Sequence, residues 1–270
     1  MNEIKELFRW NGNPSSMTKG LLVVFYIIAF GALWHFACPS GIPKPMSVWA
    51  AWQDAVANQN LIGELMNSAQ TCLIAMSITI VLTLFLAYIS QIPFFSPIIE
   101  ILTRFRFLSL AGLSFIFLIL TTTSYQAKIA TMSFSILAYL LTGLIAVIRD
   151  IPQKMYNYSR TLRMSEAEVT WYTVVRGTLY EAVDLMAQNF AIAWMMLTSI
   201  ECMFREYGGI GALLINDYQK KGFEYVFAIQ ITILLVGLLL DGLLRGLIYI
   251  AFPYRRKATS NVLLKWITGQ

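Results

Sequence analysis

The stretch YSRTLRMSEAEVTWYTVVRGTLYEAVD, residues 158–184, carries dense charge of both signs, and the sequence on either side of it is almost continuously apolar. With its approach from Arg149, the polar segment covers residues 149–183, far more than a turn between two helices requires. Its reading decides the fold. It divides the apolar sequence into two groups of segments and has to be placed on one side of them.

Hydrophobic types make up 57% of the 270 residues and charged types 13%, about half the usual share in a soluble protein. A soluble core at this length has no room for so much apolar surface. Several apolar runs reach the roughly 20 residues with which a helix crosses about 30 Å of hydrocarbon. They lack the alternation of outer-membrane barrel strands. The sequence therefore predicts an all-α integral membrane protein with six transmembrane helices, at about 20–38, 66–90, 98–121, 128–148, 184–203 and 226–250. The first run follows Lys5, Arg9 and Lys19 as in a signal peptide, but His35-Phe36-Ala37 before Cys38 is a poor cleavage site, so it reads as an uncleaved span.

Orientation follows from the basic residues. With the N-terminus in the cytoplasm, the outer segments hold only Lys44, Lys128, Arg205, Lys220 and Lys221, and the other 15 of the 20 Lys and Arg fall inside. Both termini are then cytoplasmic. The layout is an N-terminal segment 1–19, a transmembrane domain 20–256 whose large cytoplasmic loop is 149–183, and a tail 257–270. The net charge of +5 is assigned to fixing orientation in the lipid bilayer, not to holding nucleic acid.

The chain has no GxxxxGK[ST] and no GxSxG, and His35 is its one histidine. A phosphate-cradling loop, a familiar hydrolase site and a histidine metal cluster are excluded on those grounds. Cys38, Cys72 and Cys202 stand singly and read as small buried apolar side chains. Glu201 and Asp241 are the in-span carboxylates away from span starts, and each has an arginine four residues on, Arg205 and Arg245. Ion pairing at i,i+4 accounts for both, where a proton-coupled carrier would bury several carboxylates at mid-span. The chain reads as a conduit without catalysis or metal of its own, driven by a partner.

The loop has helical grammar. Asp150-Ile151-Pro152-Gln153 predicts an N-cap with Pro in the first turn, opening a helix to Leu162 or Arg163 with Met155, Tyr158 and Leu162 on one face. Ser165 with Glu168 matches a capping box, and Glu166 and Glu168 sit at the positive end of the helix dipole. The second helix carries Val169, Trp171, Tyr172, Val174 and Val175 before Gly177. The expected product is a corner at Met164–Ser165 presenting Arg163, Ser165 and Glu166 outward, with the apolar residues resting on the spans. A solvated linker is the alternative.

The register Asn157-Tyr158-Ser159-Arg160-Thr161-Leu162-Arg163-Met164-Ser165 resembles the EAARTLGAS loop of the permease subunits of ATP-binding-cassette importers, matching at Arg160, Thr161, Leu162 and Ser165. The similar branch is the nitrate/sulfonate/taurine/bicarbonate type. Ile42-Pro43-Lys44-Pro45 with Val48, Asn67-Ser68, Ala193-Trp194 with Glu201, Gly208-Gly209-Ile210-Gly211, and Asp241 with Arg245 resemble further family motifs in order. The departures are Asn-Tyr-Ser for Glu-Ala-Ala, Arg163 for the turn glycine, and Arg176-Gly177 for Leu-Pro. Arginine at that corner conflicts with the positive φ that glycine permits. Few glycines in the spans predict few close contacts of the small-xxx-small kind.

The resemblance implies a type I importer permease fold in a bacterial inner membrane. It implies pairing with a second copy or a homologous permease, cytoplasmic ATPase subunits that bind the ATP and Mg, and an extracytoplasmic substrate-binding protein. It implies a coupling surface, assigned here to Arg160, Arg163, Ser165, Glu166, Glu168 and Trp171, although helix capping alone accounts for Ser165 and Glu168 equally well. It implies a translocation path, with Ser133, Tyr139, Trp194, Thr198 and Glu201 as candidate lining residues against the simpler reading of interhelical packing. The implied substrate is a small anion such as nitrate, sulfonate or bicarbonate, or a thiamine-precursor pyrimidine. The departures in the loop leave two alternatives, a non-transporting scaffold that recruits an ATPase and the divergent half of a heterodimer.

Overall fold

The computed structural model describes residues 15–36 and 42–253, and every regular element among them is helical. Lys5, Arg9, Cys38 and the tail 257–270 lie outside the described residues. The helices are α1 (Ser16–Phe36), α2 (Pro45–Asn58), α3 (Leu61–Ile89), α4 (Ser96–Arg104), α5 (Leu110–Leu120), α6 (Ser124–Arg149), α7 (Gln153–Thr161), α8 (Glu166–Val169, prolonged by a π-helical turn Thr170–Arg176), α9 (Leu179–Met203), α10 (Ile210–Lys220) and α11 (Phe223–Ala251).

Helix α6 is the centre of the bundle and packs against α3, α5 and α9. Met132, Ile136, Leu140, Leu141 and Leu144 are buried along it. The α3 face that meets it carries Thr71, Ala75, Thr79, Thr83 and Ala87, one every four residues, all fully buried or nearly so. Two hydrogen bonds cross the seam: Thr79 Oγ1 donates to the Ser133 carbonyl (3.1 Å) and Ser133 Oγ to the Ala75 carbonyl (3.3 Å). Each is worth about 0.6 kcal/mol in such a setting. The expectation of few close small-residue contacts is therefore corrected. Ala, Ser and Thr serve where glycine was looked for, because a short side chain at every fourth position is enough to bring two helices together.

Four helices, α3, α6, α9 and α11, are long and apolar enough to cross a membrane. The expected span 98–121 is not one helix. Its two limbs meet at 115°, through a 3₁₀ turn at Phe105–Phe107 followed by two extended residues, Leu108 (ψ 140°) and Ser109 (ψ 135°). Phe134 of α6 holds both limbs, its ring lying 5.8 Å from Phe105 and 5.7 Å from Phe117. The limb α5 is about 16 Å long at 1.5 Å per residue, about half a bilayer core. At the N-terminal end, α1 is exposed along most of its length and joins the bundle at Trp34, whose Nε1 donates to the Pro43 carbonyl (3.1 Å).

The segment 39–65 contains α2, docked on α11 by Val48, Ala51 and Ala228 and by Trp52 Nε1 donating to Thr232 Oγ1 (3.1 Å). Asp54 accepts hydrogen bonds from Asn58, Tyr225 and Lys221 at 2.7 to 3.3 Å. These bonds, led by Asn58, hold its carboxyl at about 2.

Candidate functional site

The loop between α6 and α9 folds into a hairpin of two helical limbs. Asp150 does not cap α7. It closes α6 instead, its N–H bonded to the Ala146 carbonyl, and Pro152 occupies the α7 cap position without a side-chain bond. The second capping box forms as expected: Ser165 N–H donates to Glu168 Oε2 (2.8 Å), and Glu168 N–H to Ser165 Oγ (3.4 Å). The corner between the limbs is Arg163 at φ 57°. The chain thus keeps the left-handed turn with an arginine in the glycine place, at a cost of about 1–2 kcal/mol.

Clamps around the corner offset that cost. Arg160 grips Glu166 with two hydrogen bonds at 2.9 and 3.0 Å, and the Ser159 and Thr173 hydroxyls meet at 2.8 Å across the limbs. Replacing Arg163 with Gly should raise stability by about 0.5–1 kcal/mol, the relieved strain less the entropy that glycine adds to the unfolded chain. Chemical unfolding of the purified chain checks this; a loss of stability would place Arg163 in a contact that outweighs its backbone strain.

Two carboxyls at the corner lie below the ordinary glutamate range. Hydrogen bonds from Arg160 lower Glu166, and the backbone N–H of Ser165 lowers Glu168. A depressed folded value gives stability that is present above the ordinary value of 4.5 and is lost as pH falls through the folded value. Amides of α8 should therefore exchange faster on acidification below that value, after correction for intrinsic rates. Glu166→Gln should flatten part of the response, and an unchanged profile would remove the carboxyls from the account.

The apolar residues of the hairpin divide differently from expectation. Val169 and Val174 are buried, and Val174 joins Ile148, Leu144 and Ala182 in the core. Met155, Tyr158, Leu162, Trp171 and Tyr172 are exposed, Tyr158 at 66% and Trp171 at 56%. Met155, Tyr158 and Tyr172 line an open cleft of about 470 Å³ between the limbs and the end of α6. So the hairpin rests on the spans through small and β-branched side chains and turns an aromatic face outward. Of the expected coupling residues, Arg160, Ser165, Glu166 and Glu168 form one bonded corner, Arg163 turns the chain within it, and Trp171 stands on the outward face.

The second polar cluster is inside the bundle. Glu201 does not pair with Arg205. Helix α9 ends at Met203, and Arg205 Nε donates to the Cys202 carbonyl instead. Glu201 is fully buried and faces Lys128 of α6, also fully buried, at 2.9 Å. Ser68 Oγ of α3 donates to the same carboxylate at 2.8 and 2.9 Å, and the Gly211 N–H at 3.1 Å. Ser68 Oγ in turn accepts the Ile210 N–H (2.8 Å), and Glu64 accepts the Gly209 N–H (2.5 Å). The free N–H groups at the start of α10 thus end on α3 and α9 acceptors. Gly208 and Gly209 turn at φ 65° and 105°, and a methyl on Gly209 would overlap the Glu201 carboxylate. Lys128 and Ser68 were missed as partners of Glu201. A lysine just inside an apolar run was the available signal.

The candidate path residues do not converge. Trp194 and Thr198 line one open cleft of about 330 Å³ between α9 and α11, with Gln230, Gly237, Asp241 and Arg245. Trp194 Nε1 donates to the Ile233 carbonyl (3.1 Å), and Asp241 pairs with Arg245 at 2.8 Å, as its spacing predicted. Ser133 is in the α3–α6 seam, Glu201 is in the buried cluster, and Tyr139 donates to the Arg106 carbonyl (3.4 Å) beside the broken span.

Residues 71–248, well over half of the chain, match the family described as binding-protein-dependent transport system inner membrane component. The chain belongs to that family. It is a multi-pass membrane permease subunit of the ABC-importer type, a class without catalysis of its own. The permease is 26% identical over 115 residues to an ABC transporter permease protein of Methanocaldococcus jannaschii, covering 43% of this chain and 42% of that one. It is 29% identical over 94 residues to the bicarbonate transport system permease protein CmpB of Synechococcus elongatus, covering 35% and 34%. The matches therefore span less than half of these relatives' lengths. The crystal structure of an amino acid ABC transporter with histidines superposes with a TM-score of 0.59 at 16% identity, over 74% of this chain and 96% of the other, and shares the fold.

Proposed function

We propose that this permease carries a small anion, of the kind of bicarbonate, nitrate or a sulfonate, across the membrane, and that the 150–178 hairpin is the seat of a cytoplasmic ATPase. The observation that carries the reading is the outward aromatic face of the hairpin. Tyr158, Trp171 and Tyr172 are exposed on a support clamped from behind by Val174 and the Ser159–Thr173 bond. A rigid apolar surface that the bundle leaves open fits a protein partner. Membership in a binding-protein-dependent family supports an extracytoplasmic delivery protein as second partner, for which α2 and α10 offer the opposite face. A second permease would complete the path, since the cleft at Trp194 and Thr198 is open on one side. The bicarbonate relative supports the anion class. Movement produced by closure of the ATPase pair would reach the spans through the hairpin as a rigid lever.

The test uses the whole complex in proteoliposomes with bicarbonate, nitrate and sulfonates as substrates. Tyr158→Ala/Trp171→Ala should lower ATPase association and uptake by about tenfold or more, as two exposed aromatic anchors at about 1 kcal/mol or more each imply. Unchanged association would overturn the docking assignment. ATPase recruitment without uptake of any of these anions would make the chain a scaffold.

A further inference from the structure

The broken third span places basic side chains where the family motifs place nothing. Arg104 ends α4, Arg106 lies in the 3₁₀ turn, and Arg149 ends α6. All three line one open pocket of about 580 Å³, with the hydroxyl-bearing Thr103 and Thr142 beside them and two carboxylates, Glu100 and Asp150, on the Arg149 side, so that the three arginines leave the pocket one positive charge in excess. Arg149 Nη2 bonds Glu100 at 2.5 Å. That contact fixes α4 at the hairpin end of α6, on the face that the charge distribution assigns to the cytoplasm. Arg104 and Arg106 are exposed, and among the described residues neither guanidinium bonds a carboxylate. Arg106 lies over the Phe107 ring at 5.0 Å, which leaves its N–H groups open.

The surroundings are apolar. Ile98 and Ile101 are each 55% exposed on α4, and Phe107 and Leu108 are exposed at the turn. A helix crossing α5 at 115°, with apolar side chains on one flank and arginines at its end, has the make-up of an element lying in the membrane interface. Exposed arginines without a carboxylate partner, beside exposed aliphatic side chains at the end of the spans that the charge distribution assigns to the cytoplasm, suit a ligand with a phosphate next to acyl chains. From this juxtaposition we infer that Arg104 and Arg106, backed by Arg149 and Thr142, form a site for the headgroup of an anionic phospholipid at the break in the third span. Guanidinium forks bind phosphate oxygens in pairs, and basic pockets between spanning helices on the cytoplasmic side suit such headgroups. The lipid would fill the wedge opened by the bend and hold α4 against α6.

The experiment uses the full chain in phosphatidylcholine nanodiscs containing a minor fraction of phosphatidylglycerol. Phosphatidylglycerol retained after extraction into detergent is counted by native mass spectrometry. Each of Arg104→Gln and Arg106→Gln should lower retention by about fivefold, and the pair by more. Arg176→Gln, on the hairpin, should leave it unchanged. Circular dichroism and elution volume confirm that the variants are folded. Equal retention by the double variant overturns the proposal. So does displacement of the lipid by inorganic phosphate, which would make this a site for the free ion. Loss of a protein partner from the variant with lipid retention intact would overturn it too, by making the pocket a protein contact.

Discussion

Lys128→Met is expected to cost the folded permease about 3–5 kcal/mol, the scale of removing one member of a buried ion pair. Lys128 and Glu201 are both fully buried and stand 2.9 Å apart. Without the ammonium, the carboxylate keeps Ser68 and the Gly211 N–H but loses its compensating charge. The damage should be wide, because the cluster joins α3, α6, α9 and the start of α10. The double change Lys128→Met/Glu201→Gln should recover most of the loss. Glutamine fills the same volume and still accepts from Ser68 and Gly211, and an apolar residue facing a neutral amide removes the buried charge altogether. Unfolding of the purified chain in mixed micelles by a denaturing detergent measures all three. A single variant within about 1 kcal/mol of the parent would show that water or another cation reaches Glu201.

That pair also shows where the sequence stops being legible. Arg205 stands four residues after Glu201, and the i,i+4 rule holds only while the helix continues. It does not: Phe204 breaks it at φ −102°, ψ 70°, so Arg205 leaves the face on which Glu201 lies. Asp241 and Arg245 sit inside α11, and there the same rule succeeds. The capping box at Ser165 and Glu168 was readable because it is closed by bonds three residues apart. The Asp150 signal was equally local but met a competitor, since α6 runs on to Arg149 and takes Asp150 as its own terminus.

Longer-range features were readable only in part. Hydropathy sees composition, so a run from 98 to 121 looks continuous although two extended residues bend it by 115°. The spacing of Met155, Tyr158 and Leu162 gives a face but not its direction. The usual inference that an apolar face turns inward fails in this hairpin, where Val174 is the side chain packed in the core with Leu144, Ile148 and Ala182 of the spans. The left-handed turn at Arg163 was not anticipated: the corner was expected at Met164–Ser165, and arginine in the glycine place of the register argued against a positive φ. Nor were the clamps that hold it there, Arg160 with Glu166 and Ser159 with Thr173.

Gly177→Ala should uncouple transport with little loss of the bundle. Gly177 is exposed and follows the π-helical turn Thr170–Arg176. Its Cα lies so close to the Thr173 carbonyl that an alanine methyl would overlap the oxygen, so a single methyl forces the backbone of that turn to move. The turn has little freedom to yield locally. Val174 is buried in the core and accepts the Thr178 N–H at 3.0 Å, and Thr173 is tied to Ser159. The displacement is therefore passed to the unconstrained side, where Trp171 and Tyr172 stand. On the proposed reading, uptake would fall by about tenfold, the scale of a coupling free energy of 1–3 kcal/mol, while ATP hydrolysis by the assembled complex persists. The bundle should lose no more than about 1–3 kcal/mol, as for a tight overpacked site. Gly242→Ala in α11, where an added methyl meets nothing within 4 Å, is the matched control. If the Gly177 variant carries substrate at the parental rate, the π-helical turn does not set the docking face, and the lever begins at the Arg160–Glu166 corner instead.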